Sequence, residues 1–413
     1  MGVKEDNGVR HRASMSQGPT GTGGRRWAVR IAHVSDCFVP RLGGIEMQVN
    51  DLTRRQQQIG LEPEVLTATP LPHRMAGRHF PVPVHRFGIP LPAEIANNPI
   101  PSRPLRTALR AGSFDLVHVH AGVGSPFAAA GVRVALELGL PVTVTVHCLP
   151  ASFRLPSVLT PWTTPDIARR IALTAVSEAA AAPLRRQTGA VVTVVPNGLD
   201  PHEWAAAAPP SGATERDPSV VHAVATMRLS VRKRPLPLLA AVLAARQQLA
   251  PAVTLRLSVF GDGKLAPRMR RYLSRHHMHD TVTLAGRVDR DRLKEIYRDA
   301  DLFIAPAFLE SFGIAALEAR CAGLPVVAMR GTGITEFVAD GVEGLLADGD
   351  AGMSAALVKL ARDASLRTAI ARHNRTTAPP TAWPAVLERV NQEYARAFSI
   401  HRAVSDSAGR PGR

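Results

Sequence analysis

Ten short runs of β-branched and other apolar residues constrain the fold of this 413-residue chain more than any other feature. In the first half they are RIAHVS, FDLVHVH, PVTVTVH, IALTAVS and AVVTVVP, and in the second SVVHAVATMR, TLRLSVFGDG, TVTLAGRV, DLFIAPA and PVVAMR. Longer segments rich in Ala, Leu and Arg separate them. Continuous apolar strands that alternate with helices are typical of parallel sheets covered on both faces. We therefore predict an α/β fold of two doubly wound, Rossmann-like domains, with ligands bound in a central cleft at the carboxyl ends of the strands.

Composition shifts along the chain set the expected boundaries. The stretch AAAAPPSGATERDP follows VVPNGLDPHEW and is typical of an interdomain linker. Nine prolines between positions 70 and 104 argue against a long helix there and favour either a variable loop near the cleft or a plain surface connection. The predicted parts are a disordered leader (1–28), an N-terminal domain (29–200), a linker (201–218), a C-terminal domain (219–380), a terminal helix returning to the N-terminal domain (381–400) and a disordered tail (401–413).

Charge and cysteine content narrow the class of protein. The net charge is +16, but aromatic residues make up only 5% and the cations are spread along the chain, which argues against a nucleic-acid binder. Cys37, Cys148 and Cys321 are far apart, so we expect neither a disulfide framework nor a zinc site, and a cytoplasmic compartment fits best. No run reaches the ~18 apolar residues of a membrane span. Any contact with an anionic membrane is expected to be peripheral.

Polar residues follow several of the predicted strands. Gly43 and Gly44 precede the helical pattern IEMQVNDL. A glycine turn before a helix can bind an anion, but an ordinary turn before a helix has the same sequence pattern. Strand alternation puts His118 and His120 on one face of a strand. They could form hydrogen bonds with a sugar, or they could be structural residues. Arg228 and Lys233 follow the first strand of the second half. They could bind one diphosphate or form a solvated basic loop.

Two glutamates in the stretch LESFGIAALEARCAG are the most specific feature. A helix that begins near Ser311 would separate the backbones of Glu310 and Glu318 by about 12 Å, too far for carboxylates that share a proton. The small residues between them let a ligand approach the helix start, whose dipole favours phosphate. Glu310 would then bind hydroxyls on one side of a diphosphate, and Glu318 would bind hydroxyls on the other. A nucleotide sugar has that order of groups.

The same stretch carries a family resemblance. GRVDRDRLKEIYRDADLFIAPAFLESFGIAALEARCAGLPVVAMRGTGITEFVADGVEGLLA, together with LGGIE, VVPNGLD and FGDGKL, resembles the family-4 retaining glycosyltransferases of the GT-B fold, over roughly residues 30 to 398. The resemblance implies that a hexose-type sugar moves from a nucleoside-diphosphate sugar to a hydroxyl of a glycan, lipid-linked or small-molecule acceptor. It also implies that the anomeric configuration is retained and that no metal or other cofactor takes part. The N-terminal domain would bind the acceptor and the C-terminal domain the nucleotide sugar.

The resemblance also assigns the expected catalytic residues. Glu310 matches the glutamate that contacts the transferred sugar, and Arg228 and Lys233 match the cationic pair on the diphosphate. His120 matches a cleft histidine in contact with donor and acceptor, with His118 as the second choice.

Further residues are expected to bind the donor. Glu318 matches the glutamate that binds the ribose hydroxyls, and Gly44 a glycine whose backbone approaches the phosphate. Arg287 and Val288 lie where the family holds the base. The helix start supplies the remaining expected contacts, Ser311, Phe312, Gly313 and Ile314.

Two alternative functions and one alternative motif follow from the same sequence. A nucleotide-sugar epimerase on the same fold would need further acid and base groups. A non-enzymatic protein with a basic binding surface would need clustered cations and stacking aromatics. The sequence DAD, with Asp299 and Asp301, resembles the metal-binding D-x-D motif of the other glycosyltransferase fold. It lies between a helix and a strand, so both aspartates are expected to be structural.

Overall fold

A computed structural model describes residues 28–41, 43–72, 80–89, 102–149, 160–205 and 217–408. The first half contains strands β1 (Arg30–Ser35), β2 (Glu62–Thr67), β3 (Val84–Arg86), β4 (Leu116–Ala121), β5 (Val142–Val146), β6 (Ala172–Ala175) and β7 (Val192–Val194). The second half contains β8 (Val220–Thr226), β9 (Thr254–Phe260), β10 (Val282–Gly286), β11 (Leu302–Ala305), β12 (Val326–Met329) and β13 (Gly344–Ala347).

Helices connect these strands throughout. In the first half they are α1 (Gly44–Gln58), α2 (Ser102–Ala111), α3 (Pro126–Glu137), α4 (Pro165–Ala168), α5 (Glu178–Thr188) and α6 (Pro201–Trp204). In the second half they are α7 (Pro235–Leu249), α8 (Ala266–Arg275), α9 (Arg290–Arg298), α10 (Ile314–Cys321), α11 (Gly349–Arg362), α12 (Ala364–Thr376) and α13 (Trp383–Ala408). No helix among these described parts of the chain has both the length and the apolar character needed to cross a membrane.

The strands form two sheets in which every pairing is parallel. Their orders are β3-β2-β1-β4-β5-β6-β7 and β10-β9-β8-β11-β12-β13. Each order reverses at one point, between β1 and β4 in the first sheet and between β8 and β11 in the second. Ligands of doubly wound sheets bind outside the carboxyl ends of the strands at such reversals. The predicted fold of two Rossmann-like sheets is confirmed, and its two reversal points locate the cleft.

All ten predicted strands are present, and three further strands were not predicted. β2 begins with the polar sequence EPE, β3 has three residues and lies within the proline-rich segment, and β13 is only GLLA. These segments lack the run of β-branched residues from which the other strands were recognised. β2 and β13 extend the two sheets, while β3 is the outermost strand of the first.

Several predicted boundaries need correction. Helix α10 begins at Ile314 rather than near Ser311, because Gly313 has a left-handed backbone with φ of +90°. The predicted linker begins with helix α6, whose first turn is capped by the carboxylate of Asp200. The terminal helix continues to Ala408, so residues 401–408 of the predicted tail are helical. The leader to residue 27 and the tail from 409 lie outside the described residues.

Helix α13 packs on the first sheet, although it follows the second sheet in the chain. Trp383, Val386, Val390 and Tyr394 form an apolar cluster with residues of the first sheet that include Ile31. At the start of the helix, the ring of Trp383 lies against the backbone of Gly198, where an added Cβ would come within 2.4 Å of it. The helix therefore ties the end of the chain to the N-terminal half.

Candidate active site

The start of α1 and the start of α10 face each other across the cleft. A Cβ added to Gly44 would lie 3.1 Å from Cδ1 of Ile314, which leaves no room for a larger side chain without displacement. Gly44 begins α1 after the loop that follows β1, and Ile314 begins α10 after the loop that follows β11, so the two reversal points of the sheets meet here. Two predicted donor-binding positions that are 270 residues apart are thus neighbours.

Lys233 and Glu310 form an ion pair at this point. Nζ of Lys233 lies 2.5 Å from Oε2 of Glu310, and the two residues come from the loops after β8 and β11. Arg234 fixes these loops to each other: its guanidinium lies 4.0 Å above the ring of Phe308 and donates to both carboxylate oxygens of Asp350 at 2.8 Å. The structure brings the predicted cation and the predicted sugar-binding carboxylate into direct contact.

Arg228 lies near the start of α1. Its charge opposes the increase in pKa that burial causes at the Glu46 carboxyl and at the Cys37 thiol, whose pKa is raised to about 12. The glycines of FGDG hold this loop closely, because an added Cβ at Gly261, where φ is +133°, would lie 1.9 Å from the carbonyl oxygen of Met227. Only a residue without a side chain permits that backbone approach.

Glu318 lies just over one turn inside α10, and its side chain is only 13% exposed. Burial, opposed by Arg290 and reinforced by the nearby carboxylate of Asp51, raises the pKa of its carboxyl to about 8. Nε of Arg290 lies 3.8 Å from Oε1 of Glu318. The Arg290 guanidinium is also within 3.8 Å of carboxylate oxygens of Asp51 and Glu203, so one cation faces three acidic groups from both halves.

The remaining predicted donor residues surround this helix. Ser311 and Phe312 are buried, and the Phe312 ring packs against Phe337 at a centroid distance of 5.3 Å. Arg287 is exposed and Val288 is half-buried, and both follow β10 at the carboxyl edge of the second sheet. Within the described part of the chain, no hydrogen bond or ion pair joins them to Glu318, and their role at a base stays a prediction.

The predicted histidines differ from their expected placement. His120 is 2% exposed, and its two ring nitrogens face His33 at 3.0 Å and His147 at 3.1 Å. His118 is equally buried between Tyr394 and Thr145. His147, directly after β5, is the half-buried member of this cluster and lies at the cleft edge of the sheet. His147 therefore replaces His120 as the candidate for direct contact with a substrate.

One group of side chains in the described part of the chain is close enough to share a metal ion, namely His33, His118 and His120. Their ring nitrogens are already engaged in hydrogen bonds with each other and with Gln56, Tyr394, Thr145 and His147. A metal ion at this point would have to replace several buried hydrogen bonds. Asp301, from the motif that resembles D-x-D, instead accepts a hydrogen bond from the backbone N–H of His222 and joins β11 to β8.

Family models match both halves of the chain. The model described as "Glycosyltransferase Family 4" matches residues 42–203, and the model described as "Glycosyl transferases group 1" matches residues 218–363. A D-inositol 3-phosphate glycosyltransferase of Pseudarthrobacter chlorophenolicus is 26% identical over 412 aligned residues, which cover 91% of this chain and 96% of the relative. The enzyme of the same name from Mycolicibacterium smegmatis is 39% identical over 128 residues, 30% of this chain and 29% of the relative.

Solved structures share the fold. Anabaena HepE in complex with UDP superimposes with a TM-score of 0.65 at 17% identity, over 92% of this chain and 99% of HepE. Sucrose-phosphate synthase from Thermosynechococcus elongatus gives 0.70 at 18% identity, over 90% and 99%. With a GT-B architecture and family matches in both halves, the chain belongs to the family-4, group 1 glycosyltransferases.

Proposed function

We propose that this glycosyltransferase moves a hexose-type sugar from a UDP-sugar to a hydroxyl acceptor with retention of the anomeric configuration. The observation that carries the proposal is the meeting of Gly44, Lys233 and Glu310 at the start of α10, with Glu318 further along the same helix. This order fits sugar, diphosphate and ribose. The choice of UDP rests on the UDP in the HepE structure.

The proposed mechanism uses the cations in place of a metal ion. Arg228 and Lys233 would stabilise the negative charge that develops on the leaving diphosphate, together with the N-terminus of α10. Glu310 would orient the sugar through its hydroxyls, and His147 would accept a hydrogen bond from a substrate hydroxyl. In a retaining reaction the acceptor attacks on the face that the diphosphate leaves, and a phosphate oxygen takes the proton of the acceptor hydroxyl.

The acceptor is the open part of the proposal. The names of the relatives favour a phosphorylated inositol, and the net charge of +16 suits an anionic acceptor or a peripheral contact with an anionic membrane. Binding to anionic vesicles that decreases with salt would support the membrane contact, and equal binding to neutral vesicles would contradict it.

The test is release of free nucleoside diphosphate from a panel of UDP-, GDP- and ADP-sugars. Each donor is combined with inositol 3-phosphate, with free inositol, or with a crude lipid and glycan extract. We expect release from a UDP-sugar that depends on one acceptor, and NMR of the product to show the donor's anomeric configuration. An inverted product would overturn the mechanism, and interconversion of the donor sugar without transfer would favour an epimerase.

Nucleotide binding is expected to strengthen as the pH rises from 7 to 9, with a midpoint near the Glu318 pKa of about 8. Below that pH the carboxyl is largely protonated, so one of its oxygens is a donor, whereas the ionised form accepts charge-assisted hydrogen bonds from the ribose hydroxyls on both oxygens. Arg290→Met removes the neighbouring cation and should move the midpoint above pH 8. Titration of the affinity for UDP by calorimetry measures both effects.

Two variants serve as controls for this titration. Glu318→Gln should abolish the pH dependence of UDP binding. Arg292→Met removes an exposed arginine that lies on α9, as Arg290 does, and that pairs with Glu295, so it should leave the midpoint unchanged. An unchanged midpoint in Arg290→Met would show that Arg290 does not act on Glu318.

A further inference from the structure

A continuous chain of buried hydrogen bonds joins the terminal helix to the cleft. Nε2 of Gln56 lies 2.7 Å from the Tyr394 hydroxyl, and Oε1 of Gln56 lies 2.7 Å from Nε2 of His33. Nδ1 of His33 is 3.0 Å from Nε2 of His120, and Nδ1 of His120 is 3.1 Å from Nε2 of His147. All of these side chains except His147 are at most 2% exposed. We call this chain the histidine relay.

The relay has one direction because each neutral imidazole has one N–H donor and one acceptor. The Gln56 amide donates to Tyr394, so its oxygen accepts from Nε2–H of His33. Nδ1 of His33 must then accept from Nε2–H of His120, and Nδ1 of His120 from Nε2–H of His147. The hydrogen of His147 is thereby placed on Nε2, and Nδ1 is left as an acceptor.

A second branch fixes the other end of the relay. The Tyr394 hydroxyl accepts from Gln56, so its own hydrogen is donated to Nδ1 of His118 at 2.9 Å. Nε2–H of His118 then donates to the Thr145 hydroxyl at 2.8 Å. Thr145 donates to Thr174 at 2.9 Å, and Thr174 donates to the carbonyl oxygen of Val144 at 3.1 Å. This carbonyl can only accept, so the direction of the whole network is determined.

The rings of the relay are neutral, which keeps each tautomer in place. Burial lowers the pKa of His33 and of His147 to about 4, and the pKa of His120 lies well below its usual range. The other hydrogen-bonding partner of His147 is the side chain of Asn197, which follows β7 at the same edge of the sheet. Because Nε2 of His147 faces His120, Nδ1 is the ring nitrogen left for Asn197 or for a substrate.

We propose that Tyr394 and Gln56 are positioning residues that fix the tautomer of His147 from the opposite end of the relay. With the hydrogen on Nε2, Nδ1 of His147 is a hydrogen-bond acceptor, which suits the amide N–H of Asn197 or the hydroxyl of a substrate. The terminal helix thus controls the hydrogen bonding of His147, at the edge of the first sheet, through the interior of that sheet. The contact between His147 and a hydroxyl rests on the proposed function, whereas the tautomer itself does not.

The tautomers are measured on the full chain labelled with ¹⁵N-histidine. Long-range ¹H–¹⁵N spectra distinguish the two tautomers, and loss of one signal set in His147→Gln assigns that ring. We expect the wild-type His147 to have its hydrogen on Nε2. Gln56→Met, which is nearly isosteric but cannot direct His33, should give a mixture of tautomers at His147. It should also lower kcat by about tenfold, since one aligned hydrogen bond is lost, with the Kd of UDP unchanged.

Thr188→Val is the matched control, because it removes a buried hydroxyl hydrogen bond, to the carbonyl oxygen of Leu184 in α5, that lies outside both branches. It should leave the His147 tautomer and kcat near wild type, whatever its cost in stability. A hydrogen on Nδ1 of wild-type His147, or an unchanged tautomer in a folded Gln56→Met, would overturn the proposal. The spectra need no substrate, so the relay can be correct while the proposed transfer fails, and the two failures are distinguishable.

Discussion

Glu310→Gln is expected to lower the rate of sugar transfer by at least about 100-fold while the affinity for UDP is maintained or increased. The carboxylate pairs with Lys233 at 2.5 Å, so in the free protein it neutralises a cation that the diphosphate needs. Glutamine keeps the shape but cannot hold the ammonium group, and Lys233 is then freer to bind phosphate. The sugar loses a charged hydrogen-bond acceptor, and one such interaction at a reacting centre is typically worth 10²–10³ in kcat.

The measurement combines the rate of UDP release with the Kd of UDP for the same protein. Lys233→Met provides the opposite pattern, because it should weaken UDP binding as well as transfer. Glu295→Gln is the matched control, since this exposed glutamate pairs with Arg292 on α9 away from the cleft loops. Equal losses of UDP affinity in Glu310→Gln and Lys233→Met would contradict the separate roles assigned to the two residues.

The strands and the cleft could be predicted because their signals are local in the sequence. Runs such as VTVTV are recognisable within five residues, and the fold then places the ends of the strands at one cleft. Glu310, Lys233 and Gly44 lie directly after strands, so their meeting follows from the topology. β2 was missed because a sheet neighbour, rather than its own composition, makes EPEVLT a strand.

The histidine cluster could not be predicted, because it depends on the register of distant strands. β1 and β4 pair with His33 opposite His118, and β4 and β5 with His120 opposite Thr145. These pairings join residues that are 85 and 25 positions apart in the chain. Alternation along one strand correctly put His118 and His120 on one face, but it could not show that Tyr394 from the terminal helix covers that face. The local signal for His147 is its position directly after the apolar run VTVTV.

The largest loss of stability is expected on the opposite side of α10 from Glu318. Arg320 is 2% exposed, and among the described residues only Nη2 of its guanidinium has a partner, Glu343 at 3.2 Å, whereas Nε and Nη1 have none there. Burial lowers the pKa of Arg320, and Glu343 opposes that effect. Glu343 also accepts from the backbone N–H of Ala339 at 2.8 Å and faces His373 at 3.1 Å. The carboxylate thus has three partners and the buried cation has one.

Glu343→Leu is therefore expected to lower the free energy of unfolding by about 3–5 kcal/mol, because it leaves a buried arginine without a counter-charge. Arg320→Met should cost less, since Glu343 keeps its contacts with Ala339 and His373. Urea denaturation followed by circular dichroism measures both losses. UDP affinity at low urea should persist in each folded variant, because Arg320 leaves the helix on the face away from the cleft.

The double variant Arg320→Met/Glu343→Leu decides between two explanations of such a loss. If the cost comes from an uncompensated buried charge, replacing both partners with apolar side chains should recover most of the stability of the wild type, as is common for buried ion pairs. If the cost comes from the lost hydrogen bond to Ala339 instead, the double variant should be no more stable than Glu343→Leu. A midpoint for Glu343→Leu equal to that of the wild type would show that water, rather than Glu343, compensates the charge of Arg320.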